Sequence, residues 1–209
     1  MAIDKTNDAY WAKLHELYSD KDWVTKPSMF AEFVKDYLPE HGVMLELGAG
    51  LGQDSAYFTE LGYKVIATDL NIDKLAAIAD DKFITQAVDL REKLPFAGSS
   101  FDIVYAHLSL HYFDQTTTEQ IFSEIYRVLK PGGLLAFFTN STTDPEYGQG
   151  KQLEPDYFEI EGTAKRYFDT ESAAGFTKAF KPLLVDNYGA TYKDEAKGVH
   201  NLIRFIGTK

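Results

Sequence analysis

The sequence contains no cysteine. Disulfides, thiolate nucleophiles and cysteine metal sites are therefore excluded. Basic charge is scarce: 21 Lys and Arg stand against 32 Asp and Glu, a formal net charge of −11. No long basic run is present. Binding along a nucleic-acid backbone relies on clustered Lys and Arg, so no nucleic-acid partner is expected, although charge alone does not exclude a protein substrate. No apolar stretch is long enough to span a bilayer, and no membrane partner is expected. Residues Met1-Ala2-Ile3-Asp4-Lys5 are polar and carry no apolar signal core. Internal repeats, low-complexity tracts and linker-like stretches are also missing. These absences leave a soluble, cytoplasmic protein, monomer or homodimer, as the expectation. What remains is an ordinary globular composition over 209 residues, 44% hydrophobic and 25% charged, enough for one α/β domain with a substantial core.

One stretch organises the rest. Val43-Met44-Leu45-Glu46-Leu47 is a short apolar run ending near an acidic residue, and Gly48, Gly50 and Gly52 follow at alternate positions. Helix-like sequence begins at Gln53. This is the pattern of a strand, a tight glycine turn and a helix N-terminus, which lets backbone pass close to a nucleotide-like ligand. Dinucleotide sites prefer G-x-G-x-x-G, whereas the spacing here is G-x-G-x-G. Glu46 beside a pyrophosphate would be repulsive. It suits a ligand with a positive amine at that end.

Strand and helix then alternate. Strands are expected at Lys64 to Thr68, Phe83 to Gln86, Phe101 to Tyr105 and Leu134 to Phe138. Helices are expected at Gln53 to Leu61, Ile72 to Ala79 and Thr118 to Leu129, the last with Ile121, Phe122, Ile125, Val128 and Leu129 in register. The first strands lack polar alternation, which suits a parallel sheet buried on both faces. Upstream, Lys5 to Ser19 reads as a helix, and Lys26-Pro27-Ser28 as the start of another. Asn140 to Phe168 is polar and turn-rich yet aromatic, a length that points to a functional segment. Asp169-Thr170-Glu171 reads as a helix entry. Leu183 to Asn187 and Val199 to Ile206 read as a final antiparallel pair. The chain is read as one domain, 1–209.

Asp69 ends the second strand where a ribose would lie in such a fold, and a carboxylate there can accept from both ribose hydroxyls. Asp89 follows the third strand, where it could accept from an adenine amino group, with Leu70 and Leu90 as apolar covers. A helix cap is the plain alternative for Asp89.

On these residues the chain resembles the class I S-adenosylmethionine-dependent methyltransferases. Glu46-Leu47-Gly48-Ala49-Gly50-Leu51-Gly52 is similar to their first motif, and Asp69 and Asp89 match their ribose and adenine carboxylates. Leu94 to Val104 resembles the run into their fourth strand, and Arg127 to Leu135 the turn into their fifth. The Gly-Gln-Asp-Ser variant at Gly52 to Ser55 and the C-terminal layout are similar to small-molecule and tellurite-resistance-type methyltransferases. The resemblance implies a Rossmann-like α/β fold: a seven-stranded, mostly parallel sheet with helices on both faces and a C-terminal antiparallel hairpin. It implies S-adenosyl-L-methionine as cofactor, with its methionine end over Gly48, Ala49, Gly50 and Gly52. The loop from Ala106 to Tyr112 would then lie near the sulfonium.

Displacement at an activated methyl needs alignment and exclusion of water more than a fixed catalytic triad. A base is needed only for a protonated nucleophile, and His107 and His111 are the candidates; ordinary strand-end polar residues are the alternative. No carboxylate motif completes a metal site with them, so no metal is expected. Tyr10 and Trp11 are read first as core aromatics. The resemblance adds leading helices over 1–40 that lid the cofactor, bringing Tyr10 and Trp11 to the acceptor together with Tyr112. Arg166 is a candidate for an anionic acceptor group, although a solvated arginine is the simpler reading. Segment 140–168 would supply the acceptor side. The expected function is methyl transfer to a small-molecule acceptor. A non-catalytic cofactor-binding partner module and an NAD-dependent oxidoreductase are the alternatives; Gln53 breaks the spacing that the latter needs.

Overall fold

The computed structural model describes residues 26–79, 82–195 and 198–209. The helix expected over Lys5 to Ser19, with Tyr10 and Trp11, lies outside the described residues. The first described helix, α1 (Met29–Val34), starts where Ser28 accepts a hydrogen bond from the Ala31 amide. Such caps satisfy donors that a helix start leaves unpaired.

The strands β1 (Val43–Leu47), β2 (Lys64–Asp69), β3 (Ile84–Ala87), β4 (Phe101–His107) and β5 (Leu129–Thr139) run parallel. Between them lie α2 (Gln53–Glu60), α3 (Asp73–Ala79) and α4 (Gln115–Val128). Three short strands follow, β6 (Lys151–Glu154), β7 (Tyr157–Ile160) and β8 (Thr163–Arg166), then α5 (Thr170–Phe176). The chain closes with β9 (Lys181–Gly189), α6 (Tyr192–Glu195) and β10 (Leu202–Thr208). The main sheet has seven strands in the order β3-β2-β1-β4-β5-β10-β9. Only β10 runs against its neighbours. The order reverses between β1 and β4, and ligands of open α/β sheets bind at such switch points, outside the carboxyl ends of the strands.

Alternation along the strands divides the core. Leu45, Leu47, Val104, Phe137 and Phe205 face α4, where Ile121, Phe122, Ile125 and Val128 pack onto them. Met44, Val65, Tyr105 and Phe138 face the other way, onto Phe30, Val34, Phe58 and Leu75. Glu46 shares that second face with Met44, and so lies under the glycine turn rather than under α4.

Three details depart from the sequence expectation. β5 begins at Leu129 rather than Leu134, because residues 129–133 continue along β4 through a register shift between Phe101 and Ile103. Segment 140–168 contains an antiparallel three-stranded sheet, β6-β7-β8. Its strands have four residues each, too short for their alternation to stand out from the surrounding turns. β9 is longer than expected and β10 starts later, at Leu202, so that His200 precedes it, exposed and paired with Glu195 at 3.1 Å. No helix among the described residues is long and apolar enough to cross a membrane.

Candidate cofactor and acceptor site

The glycine turn sits on β2. The amides of Gly48 and Ala49 both donate to the Thr68 carbonyl at 2.8 Å, and the Gly50 amide donates to Asp69 Oδ2 at 2.9 Å. Asp69 is thereby fixed at the carboxyl end of β2, partly exposed, beside the turn. The backbone adopts φ +73° at Gly48 and +76° at Gly52, a region that L side chains rarely adopt. A Cβ at Gly48 would overlap Ser109, whose hydroxyl is held on the Leu47 carbonyl at 2.6 Å. A Cβ at Gly52 would lie 2.7 Å from Leu75 Cδ1. Both glycines are therefore required by protein packing as well as by turn geometry.

Beneath the turn lies a buried polar network. Glu46 and Asp54 are each 3% exposed. Glu46 Oε2 accepts from the Ser55 hydroxyl. Asp54 accepts from the Ser28 amide at 2.6 Å, the Ser28 hydroxyl at 2.7 Å and the Tyr105 hydroxyl at 2.7 Å. Asp54 thus joins α2, the entry to α1 and β4. This junction has no counterpart in the sequence expectation; its sequence signal is the Asp-Ser pair two residues after the last glycine of the turn.

Burial first, then the negative charge of Asp54, push the Glu46 carboxyl well above the usual carboxylate range. A carboxyl raised in this way binds its proton more tightly folded than unfolded, so ionising it costs stability as pH rises past the unfolded value. Glu46→Gln cannot ionise. It is expected to melt higher than wild type at neutral pH without ligand, and the gap should close as pH falls below the ordinary carboxylate range. Parallel melting curves from neutral to acid pH measure this; a gap that does not change with pH would contradict it.

Asp89 lies just beyond β3. Both its oxygens hold the Arg91 guanidinium, the shortest contact being 2.7 Å. That hydrogen bond is the main reason its pKa is lowered. Its Oδ1 also accepts from the Arg91 amide at 2.9 Å, a local turn that occupies much of the carboxylate. Leu70 is exposed, whereas Leu90 packs against the core. Ala106 is fully buried in β4.

The loop after β4 carries the two histidines into different surroundings. His107 ends β4, half-buried, its ring stacked on Phe138 at 5.1 Å. Burial lowers its pKa and Asp54 partly offsets this. His111 is 2% exposed, its Nδ1 lies 3.2 Å from the Thr139 hydroxyl, and its ring contacts Tyr112. Its pKa is pushed down to about 3, by burial first and then by Lys165 and His107.

Arg166 is 3% exposed rather than solvated. Its guanidinium bonds Glu154 at 2.6 Å and the carbonyls of Phe113 and Pro155, and lies over the Tyr157 and Phe176 rings. Its amide donates to the His111 carbonyl at 2.7 Å. Segment 163–168 is thereby seated against the loop after β4. The structure brings Glu46, Asp69, the glycine turn and His107 to one end of the sheet, with β8 beside them. A separate groove of about 620 Å³, lined by Phe122, Tyr126, Phe176 and Phe180, includes none of the candidate residues.

A methyltransferase-domain family matches residues 45–137. The malonyl-[acyl-carrier protein] O-methyltransferase of Pectobacterium atrosepticum is 33% identical over 108 residues, 49% of this chain and 41% of that protein. The chain spans less than half the length of the curated relatives it matches. Among solved structures, 1,6-didemethyltoxoflavin-N1-methyltransferase of Burkholderia thailandensis, with 1,6-didemethyltoxoflavin and S-adenosylhomocysteine bound, aligns with a TM-score of 0.74 at 20% identity. The alignment covers 99% of this chain and 86% of that one. An S-adenosylmethionine-dependent methyltransferase of Mesorhizobium loti aligns at 0.68 and 20% identity, over 85% and 96%. The anchored carboxylate of Asp69, the close-passing glycine turn and the buried acid beneath it have the chemistry for a ribose and an aminoacyl sulfonium, so the residues fit the family's cofactor, S-adenosyl-L-methionine. Residues 45–137 are thus similar to a methyltransferase domain, and the fold is that of solved S-adenosylmethionine-dependent methyltransferases.

Proposed function

We propose that this chain transfers a methyl group from S-adenosyl-L-methionine to a small-molecule acceptor. The observation that carries the reading is the hydrogen bond from the Gly50 amide to Asp69, which locks glycine turn and ribose carboxylate into one site. In this reading Asp69 holds the ribose, and Asp89, with Leu70 and Leu90, borders the adenine. Gly48, Ala49, Gly50 and Gly52 pass under the methionine end, with Ala106 in the floor. Glu46 lies below the turn and braces it through its bond with Ser55. The cofactor supplies an activated methyl on a cationic sulfur, and the protein aligns the nucleophile and excludes water.

The histidines divide by environment. His107, half-buried with its pKa lowered, is neutral at pH 7 and can accept a proton from the acceptor. His111, at about 3, is a poor base, and its bonds to Thr139 and Arg166 fit a positioning role. Tyr112 borders the same space, and Arg166 holds the acceptor-side segment in place. Tyr10 and Trp11 stay candidates for the acceptor side. A soluble cytoplasmic enzyme, monomer or homodimer, remains the reading for setting and assembly.

Calorimetry with S-adenosylhomocysteine and with NAD tests the site: the first should bind and the second should not, and the converse would sink the reading. Release of S-adenosylhomocysteine across an acceptor panel tests turnover; binding without turnover on any acceptor would favour a non-catalytic partner module. On an accepted substrate, His107→Ala should keep cofactor affinity and lose about 10²- to 10⁴-fold in kcat. Wild-type kcat should fall on the acid side, below the ordinary histidine pKa, as His107 takes up a proton. An alanine variant with normal kcat and an unchanged pH profile would remove His107 from the chemistry.

A further inference from the structure

Leu108 has a left-handed backbone, with φ +52°. Three further non-glycine residues do so among the described residues, Ser99, Asp156 and Glu161, and each is polar and sits in a turn. Leu108 is apolar, half-buried and packed on the second core face. A bulky side chain is strained at positive φ, and such a backbone persists where its surroundings hold it. Three contacts hold this one. The Leu108 amide donates to the Phe138 carbonyl at 2.9 Å, on the β5 side. The Leu108 side chain is set in the core. The hydroxyl of the next residue, Ser109, donates to the Leu47 carbonyl at 2.6 Å, on the β1 side.

The Ser109 bond lies at the switch point. The last register pair of β1 and β4 is Glu46 with Tyr105, and the two strands part beyond it. Ser109 spans the crevice that opens there. It ties the end of β1 to the loop that carries both histidines. Its side chain lies so close to Gly48 that a Cβ there would overlap it. His107 directly precedes the bend, with its ring on Phe138.

We propose that Ser109 is a positioning residue: its hydroxyl straps Leu108 into the left-handed bend, and the bend fixes His107 relative to the glycine turn. This rests on the methyltransferase reading above and adds a residue to its acceptor side. Without the strap, the Leu108 backbone relaxes toward negative φ, which turns the following peptide and frees the loop from β1. His107 then loses its seat on Phe138 and meets water. The cofactor side is spared, because the turn keeps its own anchors. Gly48 and Ala49 stay on the Thr68 carbonyl, and Gly50 stays on Asp69.

The His107 titration, followed by NMR and assigned by its absence from the His107→Ala spectrum, tests this. In Ser109→Ala it should move up toward the ordinary histidine pKa, because burial is the main cause of its depression. Leu108→Val keeps the Ser109 hydroxyl but resists positive φ more strongly, and should move the titration the same way. On an accepted substrate Ser109→Ala should lose about 10- to 100-fold in kcat. Its affinity for S-adenosylhomocysteine should stay within about fivefold of wild type. A serine that only stabilises the fold would lower the melting temperature and leave the titration unmoved. The inference is overturned if either variant leaves the titration at its wild-type position or lowers it, or if Ser109→Ala has normal kcat. Loss of cofactor binding in folded Ser109→Ala would also overturn it, because the strap would then serve the turn. Wild-type protein that fails to bind S-adenosylhomocysteine rejects the methyltransferase site itself, whereas binding with an unmoved titration rejects only the strap.

Discussion

Asp69→Ala is expected to lower affinity for S-adenosylhomocysteine by at least about 100-fold. Two charge-assisted hydrogen bonds to ribose hydroxyls are lost, each worth about 1.5–3 kcal/mol, and about 1.4 kcal/mol is tenfold in affinity. A second effect adds to the first. Asp69 Oδ2 also holds the Gly50 amide at 2.9 Å, so the alanine variant frees the middle of the glycine turn. The turn keeps its anchors on the Thr68 carbonyl, and Asp69 is only partly buried, so the fold should survive. Asp69→Asn separates the two contributions. It keeps one acceptor oxygen but loses the negative charge, and should fall between wild type and alanine. Calorimetry on the three proteins, with circular dichroism to show that each is folded, decides. Wild-type affinity in the alanine variant would remove Asp69 from the ribose.

The reasons the framework of this candidate site was legible in sequence, and the surroundings of segment 140–168 were not, are physical. A glycine turn, a carboxylate one strand later and another after the next strand are each set by local backbone. Gly48 needs its left-handed φ, and Asp69 has to end β2 to reach Gly50. Such constraints repeat at fixed spacing and can be read without knowing what packs where. The seven-stranded order follows from the same alternation, since right-handed crossovers leave few arrangements. The surroundings of that segment depend instead on long-range register. Whether Arg166 is solvated or buried is decided by Glu154, Phe113 and Pro155, which meet it only after β6, β7 and β8 pair. Tyr167 was visible only as one aromatic in a polar stretch; that its hydroxyl is buried with no hydrogen-bond partner among the described residues is decided only in three dimensions. The two histidines likewise share a loop and a spacing, yet His107 stacks in a half-buried strand end and His111 is sealed from water. Sequence could nominate both and could not separate them.

Arg166→Ala should destabilise the fold by about 3–5 kcal/mol. Removing one partner of a buried ion pair costs this much, and rehydration of the Glu154 side chain, 35% exposed, draws the figure toward the lower end. To this is added the loss of donors for the Phe113 and Pro155 carbonyls and of the guanidinium contact with Tyr157 and Phe176. Arg166→Lys should recover little. A single ammonium cannot reach Glu154 and two carbonyls in the planar fork that arginine presents. Urea unfolding midpoints of the three proteins give the stability change. Acceptor kinetics then separate two roles. If Arg166 only seats β8 against the loop after β4, low temperature or an added osmolyte that restores folding should restore the KM for acceptor as well. If the guanidinium instead binds the acceptor, KM stays raised in a folded variant. The bonds already made by Arg166 favour the first outcome.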